Sequence, residues 1–420
     1  MAEISSIAVR PIRVVGLVGT AHFMSHLFYQ ALPPLFVLMV VDLDTSYTAL
    51  GLIMTVYHIA TASVATPAGF LVDRIGARNM LVGGLVIQAV AMIAAGFFNS
   101  YWALMGLFAV SGLAFAVYHP ADYALISGSV RDSWLGRAFS VHAFCGNLGN
   151  ALTPVLVLAI AALWGWQKTF FVIGGCGLLV ALLILQQGET LQDGVELRKV
   201  KKKKSDAGGT GSMKQDFALL LSWPILLCFL FYIISNISIG GLRTYGVAGM
   251  VELHDMPLAL AGGAIAGYMI GASGGLLVGG FLADRFGARV ITAVIGLSIA
   301  GFLVIMIGVV SMPVLVIAGL LALSGFTRGT VQSVRDLLVL SVTPKGSTGK
   351  VFAFVYNGSM IGGALVPFVY GLFLDSGRPQ AVFLVSGIGM LCALLTFIGM
   401  KSMVDREKTS TGNPAQDKVA

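Results

Sequence analysis

Apolar residues make up 57% of this 420-residue chain, and only 11% of its residues are charged. Soluble domains usually carry a charge on about a quarter of their residues. The mean hydropathy is +0.90, and many apolar runs exceed the ~18 residues that a helix needs to cross a membrane. The composition therefore excludes a soluble globular domain and predicts an all-α membrane protein.

The apolar runs predict twelve transmembrane helices, six in each half of the chain. A polar stretch at 188–216 separates the halves and contains KVKKKK followed by SDAGGTGS, a composition typical of a flexible, charged linker. We therefore predict an N-terminal six-helix bundle at 1–187, a C-terminal six-helix bundle at 217–401 and a cytoplasmic tail at 402–420. The predicted spans are 14–41, 47–72, 79–98, 101–128, 137–163, 167–187, 217–249, 258–283, 290–309, 313–341, 350–374 and 378–400.

One ten-residue segment occurs in both halves, as GFLVDRIGAR at 69–78 and GFLADRFGAR at 280–289. In each copy an apolar run ends at the aspartate and another begins after the last arginine, which predicts a tight cytoplasmic hairpin. Glycine permits the sharp turn, and the acid and bases can pair with each other and with helix ends. The residues assigned to these loops are Gly69, Asp73, Arg74, Gly76, Arg78, Gly280, Asp284, Arg285, Gly287 and Arg289. The duplication predicts two pseudo-symmetric bundles.

The pattern G-x-L-x-D-R-x-G-x-R between the second and third spans resembles the signature loop of the major facilitator superfamily. Its second copy agrees with the internal duplication of that family, and the resemblance covers essentially the whole chain. It implies the fold of that family, with a central site between two six-helix bundles near the middle of the bilayer. It also implies alternating access by rocking of the bundles, with the signature loops acting as cytoplasmic latches.

The basic residues lie almost entirely on one predicted side of the membrane. Of the 26 lysines and arginines, only Lys168 and Arg378 fall on the other side, while Arg243, Arg328 and Arg335 lie inside spans. This asymmetry predicts that both termini are cytoplasmic, in a protein of the bacterial inner membrane. The net charge of +7 is thus a topology signal, and we expect contact with membrane lipid and no nucleic-acid partner.

Two histidines of the first span, His22 and His26, are four residues apart and share one helix face. This is the spacing of a zinc-ligand pair, but Phe23 stands where the metalloprotease pattern needs a glutamate. No third ligand can be assigned, so we predict no metal site and no cofactor. Two interpretations stay open: histidines hydrogen-bonded within the bundle, or histidines lining a substrate cavity. Tyr29 and Asn147 are further candidate cavity residues.

His119 and Asp122 lie three residues apart in the fourth span, where they could interact on one face. The pair His119-Pro120, followed by Gly136, Asn147, Gly149 and Pro154, is similar to the fosmidomycin-resistance branch of the superfamily. That branch typically has an acid directly after the proline, whereas Ala121 occupies this place here. The acid comes one residue later, which turns its side chain by about 100°. We predict that Asp122 and His119 couple transport to protons.

The spans of the second half carry arginines, whereas those of the first half carry histidines and Asp122. Arg328, Gln332 and Arg335 recur at helical spacing on one face of the tenth span, and Arg243 lies late in the seventh. Because arginine presents a planar fork suited to carboxylate or phosphate, we predict that Arg243 and Arg328 bind an anionic group of the substrate. Arg335 precedes Asp336, which favours a gating or structural ion pair. The predicted substrate-binding set is Arg243, Arg328, His22, His26, Gln332, Tyr29 and Asn147.

These observations predict a secondary active transporter that moves a small organic solute, an anion by our interpretation. The sequence has no G-x-x-x-x-G-K-[ST] pattern, so a gradient must supply the energy, and the titratable residues favour protons. It also lacks a nucleophile–base–acid set, so we predict no enzyme activity. We expect a monomer. The alternative is a drug or antibiotic efflux pump of the fosmidomycin-resistance type, and a remote alternative is a membrane-embedded sensor or enzyme.

Overall fold

The computed structural model describes residues 2–187, 190–191, 218–286, 289–344 and 347–411. These ranges are almost entirely helical and contain no strand. The chain divides into two compact units, Met1–Ala207 and Gly208–Ala420. Most of the predicted linker lies outside the described residues, so the predicted domain boundaries stay predictions.

Twelve spans within the described residues are long and apolar enough to cross a membrane, from Pro11–Asp42 to Gln380–Gly399. This confirms the predicted twelve-helix membrane architecture. Helices form here because a lipid environment offers no hydrogen bonds, so each backbone group must find its partner within its own helix.

The first unit contains eight helices within the described residues, because two of its six spans are each broken into two. The helices are α1 (Ala2–Gln30), α2 (Phe36–Asp42), α3 (Tyr47–Ile75), α4 (Ala77–Ala95), α5 (Tyr101–Phe115), α6 (Tyr118–Ser129), α7 (Asp132–Trp164) and α8 (Trp166–Gln186). A short 3₁₀ turn, Pro33–Leu35, separates α1 from α2. Pro33 and Pro34 account for this first break, since proline cannot donate a backbone hydrogen bond.

The break in the fourth span was not predicted. Residues 101–128 were expected to form one helix, but α5 ends at Phe115 and α6 begins at Tyr118. The physical reason is Pro120, which lacks the N–H that would bond the carbonyl of Ala116 and whose ring crowds that carbonyl. In the first turn of α6 the missing donor costs little. The break places His119 at the start of a new helix.

The second unit contains six long helices within the described residues. They are α9 (Trp223–His254), α10 (Leu258–Phe286), α11 (Arg289–Val309), α12 (Val314–Ser341), α13 (Thr348–Asp375) and α14 (Gln380–Thr411). Helices α10 and α12 touch through their backbones: Gly271 and Gly275 of α10 face the carbonyls of Ala322 and Phe326 of α12. A side chain at either glycine would collide with α12, so the glycine spacing serves close helix packing.

Candidate functional site

The first unit brings four histidines and one aspartate together from three helices. His22 and His26 come from α1, His119 and Asp122 from α6, and His142 from α7. Asp122 Oδ2 lies 3.1 Å from Nδ1 of His22 and 3.8 Å from Nε2 of His142. The ring of His22 stacks on that of His142 at 3.8 Å between centroids and lies 5.2 Å from that of His119. We call these five residues the His–Asp cluster.

The ion-pair partners of Asp122 come from other helices. The sequence suggested that His119 could interact with Asp122 on one face of the fourth span, and the structure places the carboxylate against His22 and His142. Spacing along one helix predicts only contacts within that helix, whereas these partners come from α1 and α7. His142 was missed as a site residue, although it shares a helical face with Gly146 and Gly149, the face that packs on α1.

Polar atoms of the cluster are buried without hydrogen-bond partners. The atoms without a partner are both carboxylate oxygens of Asp122, both ring nitrogens of His142, and Nδ1 of His22. The 3.1 Å separation of His22 and Asp122 is within ion-pair distance, but its geometry does not form a hydrogen bond. Within the described residues, the basic groups at ion-pair distance from Asp122 are these two histidines. Buried polar atoms are rarely unpaired, which sets the cluster apart from an ordinary helix contact.

Two glycines of α7 make room for the histidines of α1. A Cβ on Gly146 would lie 2.7 Å from Nε2 of His22 and 2.9 Å from Nε2 of His26. A Cβ on Gly149 would meet the backbone carbonyl of Phe23 at 2.6 Å. Any other residue at these positions would therefore push α7 away from α1 and displace the imidazoles.

Tyr29 and Asn147 are the other predicted substrate-binding residues of the first unit. The hydroxyl of Tyr29 is 3.4 Å from Nε2 of His58, and its ring lies 5.5 Å from that of Tyr57. Gln88 donates to the hydroxyl of Tyr57 at 3.4 Å, so these groups satisfy one another. Asn147 is half-buried on α7. Among the described residues, no hydrogen bond or ion pair joins it to a side chain of the cluster.

The second unit contains a cleft with a basic wall. Arg328, Gln332 and Arg335 all line it, together with Ser235 of α9. The predicted polar face of the tenth span therefore does face one cavity. The remaining lining residues are apolar: Phe231, Ile239, Leu297, Val331 and Met390.

Arg335 is held by its own neighbours. Its Nε donates to Oδ1 of Asp336 at 2.8 Å, and the hydroxyl of Tyr232 donates to the same oxygen at 2.9 Å. The guanidinium lies 4.5 Å from the centre of the Tyr232 ring, a cation–π contact. The predicted ion pair with Asp336 is confirmed, and it neutralises one of the arginines of the cleft.

The charge of Arg328 is not neutralised by an acidic side chain in the part of the chain that the structure describes. Among the described residues, no hydrogen bond or ion pair to its guanidinium is formed, and its electrostatic neighbours are Arg243, Arg335 and Tyr268. Two of these neighbours are themselves cations. Arg243 is not part of the cleft wall, so the structure brings the two predicted anion ligands into electrostatic contact without placing both on the cleft.

Tyr268 was missed by sequence reasoning. It is 2% exposed, and its hydroxyl has no hydrogen-bond partner. It occupies the repeat position of Tyr57, since Gly325 packs against its carbonyl just as Gly112 packs against that of Tyr57. The hydroxyl of Tyr57 is bonded to Gln88, whereas that of Tyr268 interacts with arginines. The repeat was the available signal. Tyr57 has a hydrogen-bond partner, whereas Tyr268 at the matching position has none within the described residues.

Matching repeat positions carry opposite charge in the two units. Counting along each repeat from its Ser-Gly pair, Asp122 of the first unit corresponds to Arg335 of the second, and His119 corresponds to Gln332. The two halves of the repeat therefore differ in the charge that they carry at equivalent positions.

The sequence model of the family described as the Major Facilitator Superfamily matches residues 18–262 and 229–419. The chain belongs to this superfamily. It is therefore an integral membrane transporter and not an enzyme.

Known relatives agree with this fold and differ among themselves in activity. The membrane sensor protein UhpC of Salmonella typhimurium is 25% identical over 246 residues, which cover 56% of each chain. The multidrug resistance protein MdtG of Citrobacter koseri is 30% identical over 132 residues, 31% of this chain and 32% of that protein. The alignments thus span about half and a third of these two relatives.

A solved structure covers nearly the whole chain. A bacterial homolog of the human lysosomal transporter Spinster, in an inward-facing and occupied conformation, superposes with a TM-score of 0.75. It is 14% identical, and the match covers 94% of this chain and 96% of that one. At this identity the likeness shows the fold alone.

The first signature loop of this superfamily member is a one-residue turn. Helix α3 ends at Ile75 and α4 begins at Ala77, with Gly76 between them at φ +98°, a conformation that glycine adopts at no steric cost. Nη2 of Arg78 donates to the carbonyl of Leu185 at 2.6 Å. This carbonyl lies in the last turn of α8, where a positive charge is favourable. Asp73 is exposed.

The second signature loop is described only in part. Helix α10 ends at Phe286 and α11 begins at Arg289, which agrees with the predicted turn. Gly287 lies outside the described residues, as do the side chains of Asp284, Arg285 and Arg289. The latch role of both loops stays a prediction.

Proposed function

We propose that this transporter moves a small organic anion across the bacterial inner membrane by alternating access, coupled to a proton gradient. The main support for an anionic solute is the environment of Arg328. Arg328 lines a cleft beside Gln332 and Ser235, and the described residues place no acid against it. A guanidinium left without a counter-ion inside a span is costly, and a bound carboxylate or phosphate would supply the missing charge.

The groups around Arg328 suit an oxyanion. Gln332 and Ser235 can donate hydrogen bonds within the same cleft, and Tyr268 has a buried hydroxyl with no partner. Arg243 interacts electrostatically with both Arg328 and Tyr268 and raises the positive potential there. Hydrogen bonds to a charged acceptor are about twice as strong as those between neutral groups. An anionic group in the cleft would therefore supply the counter-charge that Arg328 lacks, and we propose that Tyr268, which interacts electrostatically with Arg328, donates to the same group.

The driving force of transport is proposed to be a proton gradient. No nucleotide-binding pattern of the P-loop type is present in the sequence, and the first unit offers Asp122 and His119 as proton-coupling residues. Dissipating the pH gradient of proteoliposomes with a protonophore should abolish solute accumulation while leaving exchange across the membrane intact. Accumulation that persists without the pH gradient would assign the coupling to another ion.

The placement of the basic residues supports a cytoplasmic location for both termini and for the signature loops. We propose that each loop latches the cytoplasmic ends of its neighbouring spans, as the bond from Arg78 to the end of α8 suggests for the first unit. We propose that the transporter acts as a monomer in contact with membrane lipid, with His22, His26, Tyr29 and Asn147 contributing to the solute pathway.

The proposal is tested by ligand-induced stabilisation of the purified full-length protein. A panel of carboxylates, phosphonates including fosmidomycin, and lipophilic cations is screened for an increase in melting temperature. A ligand that binds only the folded state adds about 2.7 kcal/mol at a hundred times its dissociation constant. We expect stabilisation by anions that is lost in Arg328→Ala and kept in Arg378→Ala, which removes an exposed arginine of the same unit.

The second candidate function is drug efflux, which the similarity to MdtG favours. It predicts stabilisation by lipophilic cations that Arg328→Ala does not change. In that case the arginines of the second unit would be structural. A ligand that stabilises the protein but never crosses the membrane would instead indicate a sensor, the activity named for the relative UhpC.

A further inference from the structure

Three histidines of the His–Asp cluster lie close enough together to share one ligand. One ring nitrogen from each of His22, His119 and His142 lies within 4.8 Å of the other two. We propose that this histidine triad binds a divalent transition-metal ion. The sequence could not assign a third ligand to His22 and His26, because His119 and His142 come from other helices, α6 and α7.

The ligand set selects the class of ion. Imidazole nitrogens suit zinc, copper, nickel and iron, whereas calcium and magnesium prefer oxygen ligands. Zinc–nitrogen bonds are about 2.1 Å long, so two ligands of one tetrahedral ion lie ~3.4 Å apart. The nitrogens of the triad lie within 4.8 Å of one another and must therefore close by up to ~1.4 Å, through rotation of the imidazoles.

Asp122 supplies the charge that such an ion needs. It is 0% exposed and touches two of the three ligands, at 3.1 Å from His22 and 3.8 Å from His142. Carboxylates beside metal-binding histidines orient the rings and increase their basicity. A cation held by the triad would lie close to this carboxylate and would give a partner to one ring nitrogen of each histidine.

The geometry also provides a route and an open coordination position. His22 and His142 are buried, whereas His119 is exposed. An ion can therefore be captured first by His119 and then by the two buried rings. Three protein ligands leave one position free for water or another small ligand.

The site is specific to the first unit and is not a general consequence of the fold. The repeat positions of His119 and His142 in the second unit are Gln332 and Val355. Neither of these side chains is a metal ligand of the imidazole type. The triad therefore arises from substitutions in one half of the duplicated chain, and the proposal stands whether or not the transported solute is an anion.

The test is cobalt binding to the purified full-length protein, prepared without a polyhistidine tag and stripped of metal with a chelator. Cobalt(II) gives visible absorption bands when nitrogen ligands bind it, and zinc should displace it. We expect one cobalt ion per chain and a loss of affinity of about tenfold or more in His142→Gln. His58→Gln, which changes a histidine outside the triad, is the matched control and should bind as the wild type does.

A second measurement keeps the proposal falsifiable if a variant folds poorly. Zinc should raise the melting temperature of the wild-type protein, magnesium should not, and His119→Gln should remove the effect of zinc. Because His119 is exposed, this variant is expected to fold. Absence of stoichiometric cobalt binding in the wild type would overturn the proposal, as would binding that both triad variants leave unchanged.

Discussion

Replacing Gly146 by alanine tests whether the contact between α1 and α7 positions the histidines. The new methyl group would lie 2.7 Å from Cδ2 and Nε2 of His22 and 2.9 Å from Nε2 of His26. Ordinary contacts begin at 3.4 Å, so the rings or the helices must move by roughly 0.5–0.7 Å. Overpacking of this kind typically costs about 1–3 kcal/mol. We expect a lower melting temperature and weaker cobalt binding.

The control is Gly83→Ala, because a Cβ at Gly83 of α4 would meet nothing within 4 Å. Alanine is a better helix former than glycine by about 0.5–1 kcal/mol, so this variant should be as stable as the wild type or more stable. Both variants add the same methyl group to a helix of the first unit, and only the surroundings differ. Equal melting temperatures for the two would refute the claim that α7 seats the histidines through Gly146.

Two further predictions concern the signature loop and the second unit. Asp73→Ala should reduce solute flux in proteoliposomes while the melting temperature stays near that of the wild type, because Asp73 is exposed; undiminished flux would contradict the latch role. Tyr268→Phe should weaken binding of a stabilising anion by about 1.5–3 kcal/mol, the usual contribution of a hydrogen bond to a charged group, without destabilising the unliganded protein. A dissociation constant that this change leaves untouched would remove Tyr268 from the site.

The helices could be predicted from sequence because the signal is local. Long uncharged runs must form helices in a membrane, and the pair Arg335–Asp336 could be predicted because its members are adjacent. The break in the fourth span was missed because Pro120 lies in the middle of a stretch long and apolar enough to form one continuous span. Whether such a proline kinks a helix or starts a new one depends on the tertiary contacts around it.

The partners of site residues were harder to predict, since they come from different helices. Helical spacing suggested only that Asp122 could interact with His119, whereas packing of α1 and α7 against α6 brings His22 and His142 to it. Tyr268 gave no sequence signal of its own, because an apolar span tolerates a tyrosine wherever its hydroxyl finds a partner. Only burial and the missing partner distinguish it.

The most direct test of the account is solute counterflow in proteoliposomes, using the anion that most stabilises the purified protein. Wild-type protein should exchange labelled for unlabelled anion, Arg378→Ala should exchange at the same rate, and Arg328→Ala should exchange at least about tenfold more slowly, since one charge-assisted hydrogen bond contributes about 1.5–3 kcal/mol. Equal exchange by Arg328→Ala and the wild type would contradict the claim that the cleft of the second unit binds the transported anion.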